Sequence, residues 1–138
     1  MEINLKKIFL LLLFTSLSLF AKYTSEYPTQ KLINSGMPIV DIRTAPEWHE
    51  TGVLKNAVPI TFFRPDGSYD VKDFLAQLNA KVDTKKPFAL ICHTGHRTSI
   101  VAPWLAKDLH YNVINLEGGM DYVTKGLHIK TIPYKAKD

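Results

Sequence analysis

The sequence has a single cysteine, Cys92, in 138 residues. No intramolecular disulfide can form and no cysteine-rich zinc cage can be built, so whatever Cys92 does it does as one thiol. A large excess of one charge is also missing: seventeen Lys and Arg stand against thirteen Asp and Glu, a net +4 with histidines neutral. So small and dispersed a surplus does not mark a nucleic-acid binder, although it suits small anionic ligands. There are no internal repeats and no low-complexity tracts. At 46% hydrophobic and 22% charged residues, the chain fits neither a disordered tail nor a polytopic membrane protein. Its apolar N-terminal run, Ile8 to Phe20, has thirteen residues, short of the roughly 20 that a membrane-crossing helix needs.

That run follows Lys6 and Lys7 and precedes Ala21, the order of a secretory signal peptide: basic region, apolar region, small residue at the cleavage point. Residues 1–21 are read as a cleavable signal peptide. The bulk of Leu19, three residues from the cleavage point, leaves an uncleaved anchor as the alternative. No cysteine follows the run, which excludes a lipoprotein anchor. Export to the periplasm is expected, with residues 22–138 as the mature domain and no stable membrane insertion of that domain. The 117 residues that remain are enough to bury a normal core as one domain.

Helix and strand signals then alternate. Thr29 to Ser35 reads as a short helix stopped by Gly36, and Pro38 to Ile42 as a buried strand. Thr44 and Glu47 stand at capping-box spacing, with Pro46 in the first turn and Gly52 after the end, which marks a short helix around Trp48. Val58 to Phe63 reads as a strand and Pro65 to Gly67 as a turn. Asp70 is placed to cap an amphipathic helix through Val71, Phe74, Leu75, Leu78 and Val82. Phe88 to Ile91 is short and apolar enough for a central strand. From Arg97 onward, Ile100, Val101, Trp104, Leu105 and Leu109 mark another helix, which Pro103 should kink or deprive of one hydrogen bond. Val113 to Leu116 reads as the last strand, Gly118–Gly119 as a turn, and Tyr122 to Lys125 as a closing helical turn. The pattern predicts an α/β fold, a mostly parallel central sheet of about five strands with helices on both faces. In such sheets ligands bind at the carboxyl ends of strands, and Cys92 is at one.

The chemistry concentrates in Cys92 to Ser99 (CHTGHRTS). A loop of this length between a strand and a helix can turn its N–H groups inward as an anion cradle around the sulfur. The helix dipole and Arg97 add positive potential there, which favours thiolate over thiol. Gly95 allows a turn that a Cβ would obstruct. The competing reading, a buried structural cysteine at the end of a core strand, does not account for strand end, glycine and arginine together.

On these residues the sequence resembles the rhodanese sulfurtransferases. Cys92, Gly95 and Arg97 match the family's CxxGxR loop, and Thr98 stands where the family has Ser or Thr. The segment VDIRT at Val40 to Thr44, with Glu47 and Trp48, is similar to the early Asp-x-Arg signature, and LEGGM at Leu116 to Met120 to the late Gly-Gly turn. Order and spacing agree over about residues 27 to 128. The resemblance implies a rhodanese-type sulfurtransferase: Cys92 takes a sulfane sulfur from thiosulfate, a polysulfide or a persulfide and passes it to cyanide or a thiol. That is two-step covalent catalysis without a cofactor. Arg97 would orient the loop and bind the donor's sulfonate, and His93, Thr94, Gly95, His96 and Thr98 would form the substrate loop. Asp41, Arg43 and Glu47 are implied as supporting residues, with Arg43 the nearest of them to substrate. A periplasmic sulfur or redox partner is a further implication.

Three alternatives are weighed. Cysteine phosphatases and arsenate reductases place the arginine six residues after the cysteine. Here Thr98 holds that position and Arg97 is five after, a smaller ring suited to a single sulfur. A second alternative is a rhodanese-like module that binds a partner or only carries sulfur to one; an inactive binding module would usually have lost the cysteine or the arginine, and both are present. His93 and His96 beside Cys92 match no common zinc spacing, so no metal is expected. They are read as entrance residues that gain charge in mild acid, or as solvated bystanders. Departures from the family pattern lie at His110, where a glycine often ends the active-site helix, at Tyr122 and Val123, where a tryptophan is common, and at Gly52–Val53 in place of Gly-His. Trp48 and Trp104 are assigned to the core.

Overall fold

The computed structural model describes residues 22–136, and the segment read as a signal peptide lies outside them. Five strands, β1 (Tyr23–Glu26), β2 (Ile39–Asp41), β3 (Ala57–Pro59), β4 (Phe88–Ile91) and β5 (Val113–Leu116), form one sheet in the order β1-β5-β4-β2-β3. Every pairing is parallel. The helices are α1 (Gln30–Ile33), α2 (Ala45–Thr51), α3 (Val71–Lys81), α4 (His96–Leu109) and α5 (Gly119–Asp121), followed by a π-helical turn, Tyr122–Gly126.

A strand's period of two divides the core. Val40, Ile42, Phe88, Leu90 and Cys92 point to one face, where they meet Phe74 and Leu78 of α3 and Val101 and Leu105 of α4. Ile39, Ala89 and Ile91 point to the other and meet Ile33 of α1, Met120 of α5 and Val123. Both faces are covered, which is why β4 is apolar at all four positions.

The helix ends follow the capping chemistry. Thr29 Oγ1 accepts from the N–H of Leu32, and Asp70 from that of Asp73. At the start of α2, the N–H and hydroxyl of Thr44 both donate to Oε2 of Glu47, each at 2.9 Å. Helix α4 runs unbroken through Pro103. The bond Pro103 omits would end on the carbonyl of Ser99, an exposed residue whose oxygen water can satisfy. The helix ends where His110 adopts the left-handed region, φ 59°, the conformation for which glycine is the ordinary choice.

Three expectations are corrected. Strand β1 was not anticipated: three of its four residues are exposed, so YTSE carries no apolar alternation, and only pairing with β5 makes it a strand. The run Val58–Phe63 is strand only as far as Pro59. Beyond it the N–H groups of Ile60 and Phe62 still bond to the carbonyls of Asp41 and Ile42, so its apolar side chains reach the core without continuing the ladder. Trp48 is buried as assigned, whereas Trp104 is half-buried against Phe62.

Candidate active site

Strand order explains why distant segments meet. The connection from β2 leads outward to β3, whereas β4 lies on the other side of β2 and leads on to β5. This reversal leaves a crevice at the carboxyl ends of β2 and β4, where such sheets bind ligands. Asp41 is in register with Ile91, so Ile42 and Cys92 leave the sheet side by side and Arg43 follows one residue further on. On the far side of β4, β5 delivers Gly118 and Gly119 to the same edge.

The Sγ of Cys92 receives the N–H of Gly95 at 3.2 Å and lies 3.6 Å from the hydroxyl of Thr98. Cys92 is 1% exposed and Thr98 is fully buried. Gly95 reaches back to the sulfur because its φ is 92°, a left-handed conformation that places its N–H inward and leads directly into α4. The Thr98 hydroxyl also donates to the carbonyl of Gly95 at 3.2 Å, which closes the loop on itself. His93, Thr94 and His96 are exposed around this core. Among the described residues no group of three His, Cys, Asp or Glu side chains could hold a metal ion.

The glycine turn after β5 is the other half of the cradle. The N–H of Met120 donates to the carbonyl of Cys92 at 2.8 Å, and that of Asp121 to the carbonyl of His93 at 3.0 Å. A Cβ on Gly119 would lie 2.5 Å from the Cys92 carbonyl oxygen and 2.6 Å from that of His93. The late Gly-Gly segment therefore lets one backbone lie against another, and any side chain there would push the Cys92 loop away.

Arg97 does not stand free. Its Nη1 and Nη2 grip the two carboxylate oxygens of Glu47 at 2.8 and 2.6 Å, a bidentate pair joining the first turns of α2 and α4. Burial alone would raise the Glu47 pKa. The hydrogen bonds from Arg97 and from the backbone and hydroxyl of Thr44, with the arginine's charge, more than offset it and hold the carboxyl at about 2, below its usual 4.5. The same hydrogen bond moves Arg97 further above its ordinary value. Glu47 takes one N–H from each Nη group, which leaves three of the five guanidinium N–H donors of Arg97 without a partner among the described residues.

Arg43 is fully buried with Asp41, whose carboxylate takes its Nε and its Nη2, the latter at 2.7 Å. Nη1 reaches the hydroxyl of Thr51 and Nη2 the carbonyl of Gly52, so this arginine ties the end of β2 to the end of α2. Residues that sequence reasoning did not select complete the rim. Nε2 of His93 and Nζ of Lys125 each lie 3.2 Å from Oδ1 of Asp121. Only the place of Asp121 directly after the LEGGM turn could have signalled it.

Residues 27–125 match the Rhodanese-like domain. The chain belongs to the rhodanese-like domain family. It is similar to the protein RP600 of Rickettsia prowazekii (strain Madrid E), 30% identical over 93 residues that cover 65% of this chain and 74% of that one. The rhodanese-like fold recurs in the crystal structure of Rv0390 from M. tuberculosis, with TM-score 0.57 and 22% identity over 71% of this chain and 80% of that one. It recurs also in a full-length protein from Lactobacillus plantarum, with TM-score 0.55 and 22% identity over 96% and 100% of the two chains. These two likenesses establish the fold. The five-stranded parallel sheet with its helices is the rhodanese-like architecture expected from the sequence.

Proposed function

We propose that this rhodanese-like protein is a sulfurtransferase that works through a persulfide on Cys92. The observation that carries this reading is the environment of Sγ at the carboxyl end of β4, with the Gly95 N–H directed at it and the dipole of α4 behind it. In the first step the Cys92 thiolate attacks the outer sulfur of thiosulfate. The sulfur–sulfur bond of the donor breaks and sulfite leaves with the electron pair. In the second step cyanide or a thiolate attacks the outer sulfur of the persulfide, and the pair of that bond returns to Cys92. Polysulfides and persulfides fit the first step equally well. The burial of the Cys92 side chain shields it from water while the Gly95 amide and the helix dipole offset the negative charge of the persulfide. Export is part of the proposal: residues 1–21 would direct the protein to the periplasm, and the exported protein would begin at Lys22 by N-terminal mass.

The near-complete burial of Cys92 favours a second reading, a module that carries sulfur for a partner without turning over small donors. Intact mass separates the two. Incubation with thiosulfate or polysulfide is expected to add one sulfur atom to the protein, cyanide to remove it as thiocyanate, and Cys92→Ser to abolish both. A persulfide that forms only from a partner protein would establish the carrier, and a Cys92 left unmodified by every donor would end both readings.

A further inference from the structure

Between α2 on one side and His93, α5 and the π turn on the other lies a cavity of about 320 Å³. It adjoins the nucleophile's loop: His93 follows Cys92, and Met120, which also lines it, donates its N–H to the Cys92 carbonyl. The basic side chains around it are engaged. Arg43 is paired with Asp41, Lys125 and His93 share Asp121, and Arg97 is held by Glu47. Glu50 differs: it lines the cavity, and among the described residues no ion pair reaches its carboxylate.

Arg43 contributes a second unspent group. A guanidinium has five N–H donors. The Nε hydrogen goes to Asp41, the two on Nη2 to Asp41 and the Gly52 carbonyl, and one on Nη1 to Thr51. The remaining Nη1 hydrogen has no acceptor among the described residues, on a side chain 2% exposed that lines the cavity. A buried donor left unpaired is costly, and a ligand that accepts from it recovers that cost. The cavity thus offers a donor for an anionic oxygen and a carboxylate for an ammonium group, both borne by the segment from β2 to the end of α2. A zwitterion matches both. A dianion such as thiosulfate satisfies the arginine but meets Glu50 with like charge.

We infer that this cavity binds the amino-acid end of an α-amino acid thiol of the cysteine class, which serves as the persulfide's acceptor, with its carboxylate on Arg43 and its ammonium on Glu50. The inference rests on the sulfurtransferase reading for its chemical step. There the amino acid's thiolate attacks the outer sulfur of the Cys92 persulfide, and the bond between the two sulfurs breaks. Its electron pair stays on Cys92 as thiolate, and the outer sulfur leaves with its proton as the amino acid's persulfide. No oxidant or reductant is consumed.

Two measurements test it. In an amide chemical-shift titration of the resting protein with S-methylcysteine, which keeps the zwitterion and lacks the thiol, saturable shifts are expected at Glu50, Thr51 and His93. Glu50→Gln should weaken binding about fivefold, the scale of one solvent-screened charge contact. No saturable shift in the wild type, or equal affinity in the variant, overturns the inference. In the second measurement the protein is loaded with polysulfide, loading is verified by mass, and sulfur loss to cysteine is compared with loss to 3-mercaptopropionate, which lacks the ammonium. The cysteine preference should fall about fivefold in Glu50→Gln, and an unchanged ratio overturns the acceptor assignment. If no persulfide forms, the sulfurtransferase reading has failed, and the titration still decides the amino-acid site.

Discussion

The two arginine–carboxylate pairs of this protein look alike in distance and differ in almost everything else. Arg43 and Asp41 are two residues apart, meet at 2.7 Å and are nearly inaccessible, at 2% and 0% side-chain exposure. Arg97 and Glu47 are fifty residues apart, meet at 2.6 Å and retain 23% and 27%. The first pair is made by one turn of chain at the end of β2. The second forms only after the sheet has brought α2 and α4 together. Between them they hold helix α2 at both ends, since Arg43 takes Thr51, its last residue, and the Gly52 cap, and Arg97 takes Glu47 in its first turn. The buried pair therefore fixes the scaffold, while the half-exposed pair fixes the start of α4, and with it the Cys92 loop, against α2.

Removing one partner of the buried pair gives the largest expected effect. Arg43→Met leaves the Asp41 carboxylate in the interior without its cation, and an orphaned buried charge costs about 3–5 kcal/mol. Urea unfolding measures it, and a loss under about 1 kcal/mol would show that the burial of this pair contributes nothing special. Gly119→Ala comes next. Its Cβ would collide with the carbonyls of Cys92 and His93 at a φ of 58°, and a strained, overpacked site costs about 1–3 kcal/mol. Because the displaced backbone carries Cys92, the proposed persulfide site, sulfur loading should fall more steeply than stability. Equal stability and loading in this variant would argue against the close backbone contact.

Glu47→Gln addresses the half-exposed pair and is expected to be milder in stability, about 1 kcal/mol at neutral pH once solvent screening is allowed for. The dependence on pH identifies the cause. The Glu47 carboxyl titrates near 2 in the folded protein and near 4.5 in its ordinary environment. The stability it contributes is therefore complete above about pH 4.5 and declines as pH falls toward 2. Unfolding free energies of wild type and variant should converge across that window. A difference that stays constant from pH 7 to pH 3 would assign the effect to packing instead of charge.

The same contrast explains what could be read from the sequence. Asp41, Arg43 and the loop from Cys92 to Thr98 are local patterns, and so is the Thr44–Glu47 box, because each depends on neighbours within a few residues. The bond from Glu47 to Arg97 has no local signature: its spacing predicts a helix cap, and the cap is indeed present. Nothing in CHTGHRTS shows that α2 supplies a carboxylate to Arg97. Asp121 and Lys125 escaped notice for the same reason, and β1 because an exposed edge strand needs its partner to be recognised. The alternation of helix and strand signals was sufficient for the sheet, and strand order then determined which loops met.

The smallest effect separates the two tasks of the Arg97–Glu47 pair. Helix α4 is tied to α2 at its first turn and ends at His110, whose left-handed φ of 59° strains a residue with a Cβ. His110→Gly relieves that strain and should add about 0.5–1 kcal/mol, far from the sulfur. Combined with Glu47→Gln it should restore most of the lost stability, read as a recovered urea midpoint. Sulfur loading of the double variant should nevertheless remain at the level of Glu47→Gln alone, because stabilising the far end of α4 does not return Arg97 to its partner. Recovery of loading together with stability would mean that the pair serves the reaction only by keeping α4 folded, and the distinction between a scaffold pair and a positioning pair would collapse.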